Sequence, residues 1–372
     1  TYMFVKTFAA SIGLTVVGLA IALIYAGPTG LAVAAILGVL EISLSFDNAV
    51  VNAGILKTMN PFWQKIFLTV GILIAVVGMR LLFPLVIVAL TAKLSPARAI
   101  SLALDKGDPN TAGTYGFLLR QAHPAIAAFG GAFLLMLFLN FIFEEREITW
   151  LSWLERPLAR IGKLDQLAVV VSAVVVALVA YYLAPQDKIS TVLLAGLLGL
   201  VSYILVNGLG ALFDDEEAKL DEDAGIDAAP NSAQAGNLVL KAGKAAFFSF
   251  LYLEVLDASF SFDGVIGAFA ITADPIIIAV GLGLIGAPFI RSLTVYLVRQ
   301  GTLDEYVYLE HGAEWAIGAL AIILLFTIRY EVPEVVTGLV GIGFIGAAFL
   351  SSLIRNKRSP EVAEPVAASL SV

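Results

Sequence analysis

The sequence predicts an all-α protein: a polytopic transmembrane bundle of about ten helices, arranged as two inverted repeats with acidic motif helices at the centre. Three observations carry this expectation. Apolar residues make up 59% of the 372 and charged residues 14%, with a mean hydropathy of +0.93. A hydrocarbon core requires about 20 consecutive apolar residues per helical span, and such runs recur along the whole chain. Finally, one polar motif, Ser-x-Ser-Phe-Asp, occurs twice inside apolar runs, at 43–47 and at 259–263.

Taken in order, hydropathy with Gly, Pro and charge punctuation predicts spans near 8–26, 31–56, 66–90, 123–143 and 167–184. The second half follows with 189–212, 245–271, 275–299, 313–329 and 333–354. The first apolar run follows one lysine and leads through Gly27-Pro28 into another span, so it is expected to be a retained helix and not a signal peptide. Residues 1–188 form the first expected repeat, 189–356 the second, and 357–372 a disordered tail. Residues 91–122 are expected to form a long external connection. Residues 144–166 read as an interfacial stretch, with Trp150 and Trp153 at headgroup level and Arg156 and Arg160 facing water. An acidic loop is expected over 213–237, where Asp214, Asp215, Glu216, Glu217, Asp221, Glu222, Asp223 and Asp227 cluster.

With ten spans, one side of the membrane collects fourteen Lys and Arg residues and the other six. The positive-inside rule then places both termini in the cytoplasm of a prokaryotic inner (plasma) membrane. The chain has no cysteine, which excludes disulfides, thiolate metal sites and thiol redox chemistry. The net charge of −8 says little about partners, since much of it sits in the acidic stretch. No nucleic-acid partner is expected; membrane lipid and a divalent metal ion are, with homo-oligomerisation left open.

Val39–Val50 and Val255–Ile266 are identical at six of twelve positions, with Glu41 opposite Asp257. The likeness continues from Val70-Gly71 before Arg80 to Val280-Gly281 before Arg291, and loosely from Tyr115–Ile126 to Tyr306–Ile317. Five spans per unit is an odd number, so the second copy enters the membrane upside down. Inverted repeats of this kind place substrate near the midplane.

A charge at bilayer depth costs a few kcal/mol at least and marks a functional site by default. On an ideal helix Glu41, Ser45, Asn48 and Asn52 form one polar stripe, and Glu254, Asp257 and Ser261 another. Ser43 and Asp47, and likewise Ser259 and Asp263, lie on neighbouring faces. A break near Ser45 or Ser261 would free backbone carbonyls. Carboxylates, hydroxyls and amides suit a hard divalent cation, Mn²⁺, Mg²⁺ or Ca²⁺. The expected metal ligands are Glu41, Asp47, Asn48, Glu254, Asp257 and Asp263, supported by Ser43, Ser45, Ser259, Ser261, Asn52, Arg80 and Arg291. Acids this close cannot all be ionised in a low dielectric, so metal would exchange for protons. Arg80 and Arg291 are read first as structural partners of the motif carboxylates, and second as tethered cations that fill the site when metal leaves. His123 is expected to cap or lie at the interface, Asn140 and Asn207 to bond between helices, and Asp274 to serve a turn.

At these residues the chain resembles the TerC (tellurite-resistance protein C) family of the lysine-exporter-type superfamily. Glu41, Ser45, Asp47 and Asn48 match its first motif. Glu254-Val255-Leu256-Asp257, Phe260, Asp263 and Phe269 to Pro275 match its second, and Arg291 a later arginine; Gly264 stands where that family more often has serine. The resemblance covers about 31–90 and 245–300. It implies manganese efflux and metal homeostasis, and so favours Mn²⁺ among the hard cations. No enzyme is expected: the chain lacks Gly-x-Gly-Asp and His-Glu-x-x-His. The alternative is a non-transporting scaffold of a membrane stress-response complex for metal or tellurite.

Overall fold

A computed structural model describes residues 2–105, 107–164, 166–223, 243–272, 274–300 and 305–358. Among these residues every regular element is helical: α1 (Tyr2–Leu44), α2 (Phe46–Leu56), α3 (Pro61–Leu73), a π segment (Ile74–Leu82), α4 (Phe83–Thr91), α5 (Pro96–Leu104), α6 (Tyr115–Phe143), α7 (Ser152–Ile161), α8 (Leu167–Tyr182) and α9 (Ile189–Asp223). Then follow α10 (Gly243–Ile271), α11 (Pro275–Ile278), a second π segment (Ala279–Gly286), α12 (Ala287–Gln300), α13 (Leu309–Phe326) and α14 (Glu334–Arg358). Seven of the described helical stretches are long and apolar enough to cross a membrane, and α8 is a shorter apolar helix. The protein is a polytopic helical membrane bundle. Its outward surface is apolar, as lipid contact requires; Ile24 and Leu90 are 87% and 72% exposed.

The two spans expected at the N-terminus appear as one helical run with a reversal inside it. A Cβ at Gly18 would lie 3.1 Å from Ile285 Cγ1, and one at Gly38 would lie 2.6 Å from Ile285 Cγ2. Twenty residues of straight helix would separate these glycines by about 30 Å, so α1 is a hairpin. The turn is at Ala26–Gly27, where Gly27 has φ +66°, a conformation that glycine alone adopts freely. Pro28 follows, pre-set for the start of the returning helix. The absence of Cβ atoms at Gly38 and Gly281 lets this hairpin lie close against the second π segment.

Both π segments end just before a proline, Pro84 and Pro288. Proline lacks the N–H that the carbonyl four residues back would accept, and its ring crowds that carbonyl. Widening the preceding turns relieves the clash. The packing is reciprocal: α1 lies on the second π segment, α10 on the first, and the π segments touch each other. α6 packs on α13, and α2 on α12.

Several expectations are corrected. The acidic stretch does not leave the helix at 213, because α9 continues to Asp223. Residues 214–223 contain no Gly or Pro that would stop a helix. Residues 224–242, which hold the rest of the expected loop, and the tail 359–372 lie outside the described residues. The connection expected over 91–122 is shorter, since α5 occupies part of it and α6 begins at Tyr115, capped by Thr114 accepting from the Phe117 amide. His123 and Pro124 are therefore inside α6 and do not cap it. Trp150 is partly buried, its indole donating to Ser351 Oγ at 3.1 Å, whereas Trp153 is 75% exposed. Asp274 does serve a turn: its carboxylate caps α11 by accepting from the Ile276 amide at 3.0 Å.

Candidate functional site: a buried network of carboxylates and arginines

The break foreseen near Ser45 is present. Ser45 has φ −101° and ψ 20°, separating α1 from α2. α10, in contrast, runs unbroken through Ser261. The kink sits one turn after Glu41, and Ser45 Oγ donates to Glu41 Oε1 at 3.3 Å. The side chains of Ser43, Asp47, Ser261 and Asp263 are outside the described set, so these four expected residues are placed only by their backbone on α1, α2 and α10.

Five charged side chains from four elements meet in the interior, joined by Asn48 of α2. Arg80, on the first π segment, donates from Nη2 to Glu41 Oε1 at 2.5 Å and from Nη1 to its own Ala75 carbonyl at 3.1 Å. Arg291, on α12, holds Glu254 in a two-pronged pair: Nη1 to Oε1 at 2.9 Å and Nη2 to Oε2 at 3.0 Å. Asp257 lies between the two guanidiniums, 3.4 Å from Arg291 Nη2 and 3.8 Å from Arg80 Nη1. Asn48 Nδ2 donates to the other oxygen of Asp257 at 3.1 Å. Every member is at most 6% exposed. Glu254 and Asp257 share a face of α10 as their spacing predicts, and the Glu41 stripe runs on through Asn48 and Asn52. Arg80 and Arg291 take their first reading, as ionic partners of the motif acids.

Burying charges is costly unless they are paired and hydrogen-bonded, and here, among the described side chains, three carboxylates face two guanidiniums. One formal negative charge is left over. Two acceptors have no hydrogen-bond partner, Asn48 Oδ1 and Asn52 Oδ1, both buried and one turn apart on α2. The arginine Nε atoms are likewise without partners. Among the described residues no three Asp, Glu, His or Cys side chains gather as a metal cage, because guanidiniums are interleaved between the acids. Ser259 donates to the Val255 carbonyl of its own helix at 3.0 Å and lies against α6 at Gly130, away from the network.

Three contributors escaped the sequence reading. A Cβ at Gly71 would come within 2.3 Å of Arg291 Nη1, and one at Gly286 within 2.3 Å of Glu41 Cγ. These glycines make room for the two ion pairs, each from the opposite half of the chain. Phe67 supports Arg291 from below, with its ring centroid 4.2 Å from the guanidinium carbon and its carbonyl accepting from Nη1 at 3.3 Å. The Val70-Gly71 likeness to Val280-Gly281 was the only signal of Gly71 in the sequence; Gly281 instead packs against Leu37 of the α1 hairpin.

A second buried polar cluster was also unforeseen. Glu155 on α7 accepts from the Trp150 and Leu151 amides at 3.0 and 3.2 Å and from the Trp315 indole at 3.0 Å. His311 Nδ1 lies 3.3 Å from the same carboxylate. These contacts clamp the short helix α7 to α13.

No curated protein and no solved structure matches this chain. A family described as a protein of unknown function (DUF475) matches residues 46–359, a stretch that takes in Asn48, Arg80, Glu254, Asp257 and Arg291. With most of its length inside that match, the chain belongs to the DUF475 family.

Proposed function

We propose that this protein exports a hard divalent cation across a prokaryotic plasma membrane, with both termini in the cytoplasm and Mn²⁺ as the first-choice substrate ahead of Mg²⁺ and Ca²⁺. The observation that carries the reading is the pair of unpartnered, buried amide oxygens of Asn48 and Asn52 beside a network with one excess negative charge. Neutral and anionic oxygens are the donors that hard cations take. Asp257 would join them when released by an arginine, the guanidiniums standing in for the cation between transport events. Asp47 and Asp263 would supply further carboxylate oxygens. The resemblance to TerC proteins and the repeated motif favour inverted repeats meeting at this network, with protons moving against the metal.

The experiment is metal-dependent thermal unfolding of the purified protein, paired with uptake into proteoliposomes. Millimolar Mn²⁺ is expected to raise Tm. Asn48→Ala combined with Asn52→Ala should abolish that rise while leaving the metal-free Tm within a few degrees. With protons moving against the metal, Mn²⁺ entry should alkalinise the vesicle lumen in step. A wild-type Tm indifferent to Mn²⁺, Mg²⁺ and Ca²⁺ alike would sink the reading.

One observation favours a second reading. Every described acid of the network already has an arginine, so the network would serve equally well as the internal clamp of a non-transporting scaffold. That role predicts the metal indifference just described.

A further inference from the structure

Outside the ion-pair network the bundle contains a cleft of ≈ 700 Å³, bounded by α2, α6, α9, α10 and α13. α2 and α10 also carry network residues, but none of the described network side chains lines the cleft. Three carboxylates and one arginine line it. Glu144 is held by Arg146 at 2.7 Å, and Arg146 also lies 4.1 Å over the Phe141 ring. Glu310 is held by Lys57 at 3.5 Å. Among the described residues no cation forms an ion pair with Glu314, Arg146 acting on it only from a distance, and its Oε2 is buried without a hydrogen-bond partner.

The rest of the wall is aromatic and neutral. Tyr203 and Tyr252 stand edge to face with centroids 6.0 Å apart, and both pack on Phe133. Phe143 and Phe248 line the cleft with them, and Asn140 partners the Tyr203 hydroxyl from α6. We propose that this cleft is a second binding site, for a small organic ammonium cation whose charged nitrogen pairs with Glu314.

The chemistry selects that class. One uncompensated carboxylate balances one positive charge, and a dehydrated divalent ion would need more. A bare alkali ion would leave most of the cleft to water, whereas the volume lies within the range of small-molecule sites. Aromatic walls attract ammonium groups through their ring faces and cover the attached carbon skeleton.

The test uses the full chain in detergent, in phosphate buffer, with benzylammonium chloride as probe and benzyl alcohol and NaCl as matched controls. Benzylammonium at saturation should raise Tm by about 1–3 °C, and neither control should. Glu314→Gln should abolish the shift, while Glu310→Gln, which removes an already paired acid, should keep it. If Glu314→Gln does not fold, Tyr252→Phe, which deletes one polar lining group, should weaken binding several-fold instead. An equal response to NaCl, or to benzyl alcohol, overturns the proposal, as does an unchanged response in Glu314→Gln. Failure here is separable from failure of the transport reading, because Asn48→Ala with Asn52→Ala should lose the Mn²⁺ response and retain the benzylammonium one.

Discussion

Asp257 takes one guanidinium from each arginine and the amide of Asn48, so any change at the network is felt by four side chains at once. Removing one partner of a buried pair leaves a charge unpaired and costs about 3–5 kcal/mol. Arg291→Met should therefore lower Tm sharply, and adding Glu254→Gln to it should recover part of the loss; a double-mutant cycle by thermal unfolding measures the coupling. The glycine cradle makes a finer prediction. Gly71→Ala drives a methyl into Arg291 Nη1, whose movement is restricted by its two-pronged hold on Glu254, and should cost about 1–3 kcal/mol. Gly13→Ala, where a Cβ meets nothing within 4 Å, should be within about 0.5 kcal/mol of wild type. At this scale the acids were legible because a polar residue in an apolar run is expensive. Gly71, Gly286 and Phe67 were not, because a glycine or phenylalanine in an apolar run is ordinary until its neighbour is known.

Among the elements, α7 illustrates how a short helix is held. Burial opposes charge on Glu155, but the His311 imidazole 3.3 Å away and hydrogen bonds from the Trp315 indole and the Leu151 amide outweigh it and hold its carboxyl down at about 2, below the ordinary 4.5. A depressed folded-state value means the clamp contributes fully above pH 4.5 and is lost as pH falls toward 2. The difference in Tm between wild type and Glu155→Gln should therefore be largest near neutrality and shrink between pH 4.5 and 2 in thermal scans. The tryptophans near α7 suggested an interfacial helix, and its Arg156 and Arg160 do face outward. Its anchor could not be read from sequence, since His311 and Trp315 lie more than 150 residues downstream. The extension of α9 through its acidic end shows the opposite error: charge density was taken as a loop signal where helix-compatible residues without Gly or Pro carried the helix on.

For the molecule as a whole, the reciprocal packing of α1 and α10 on each other's π segments is what two related halves would produce when they face each other. If the halves are inverted, the connection after α2 and the one after α10 lie on opposite sides of the membrane. The chain has no cysteine, so single introduced cysteines report this without background. In intact cells an impermeant thiol reagent should label Asp187→Cys, between α8 and α9, and leave Arg160→Cys unlabelled until the membrane is opened. Equal labelling of both would overturn the cytoplasmic placement of the termini.

Transfer free energy and helical periodicity act over one or a few turns, so the apolar runs alone determined that the chain is a helical membrane bundle. The ten expected segments fall largely on described helical stretches, the second divided at Ser45, and the polar stripes of α1, α2 and α10 follow from residue spacing. Which charge meets which is a matter of distance through the fold. Glu41 finds Arg80 39 residues away, Glu254 finds Arg291 37 away, and Asn48 finds Asp257 209 away. Only the tertiary structure decided that the described acids are separated by guanidiniums and not gathered around a shared centre. In a medium without water, like charges repel too strongly to sit together uncompensated, and the arginines on the facing elements are what the fold brings within reach.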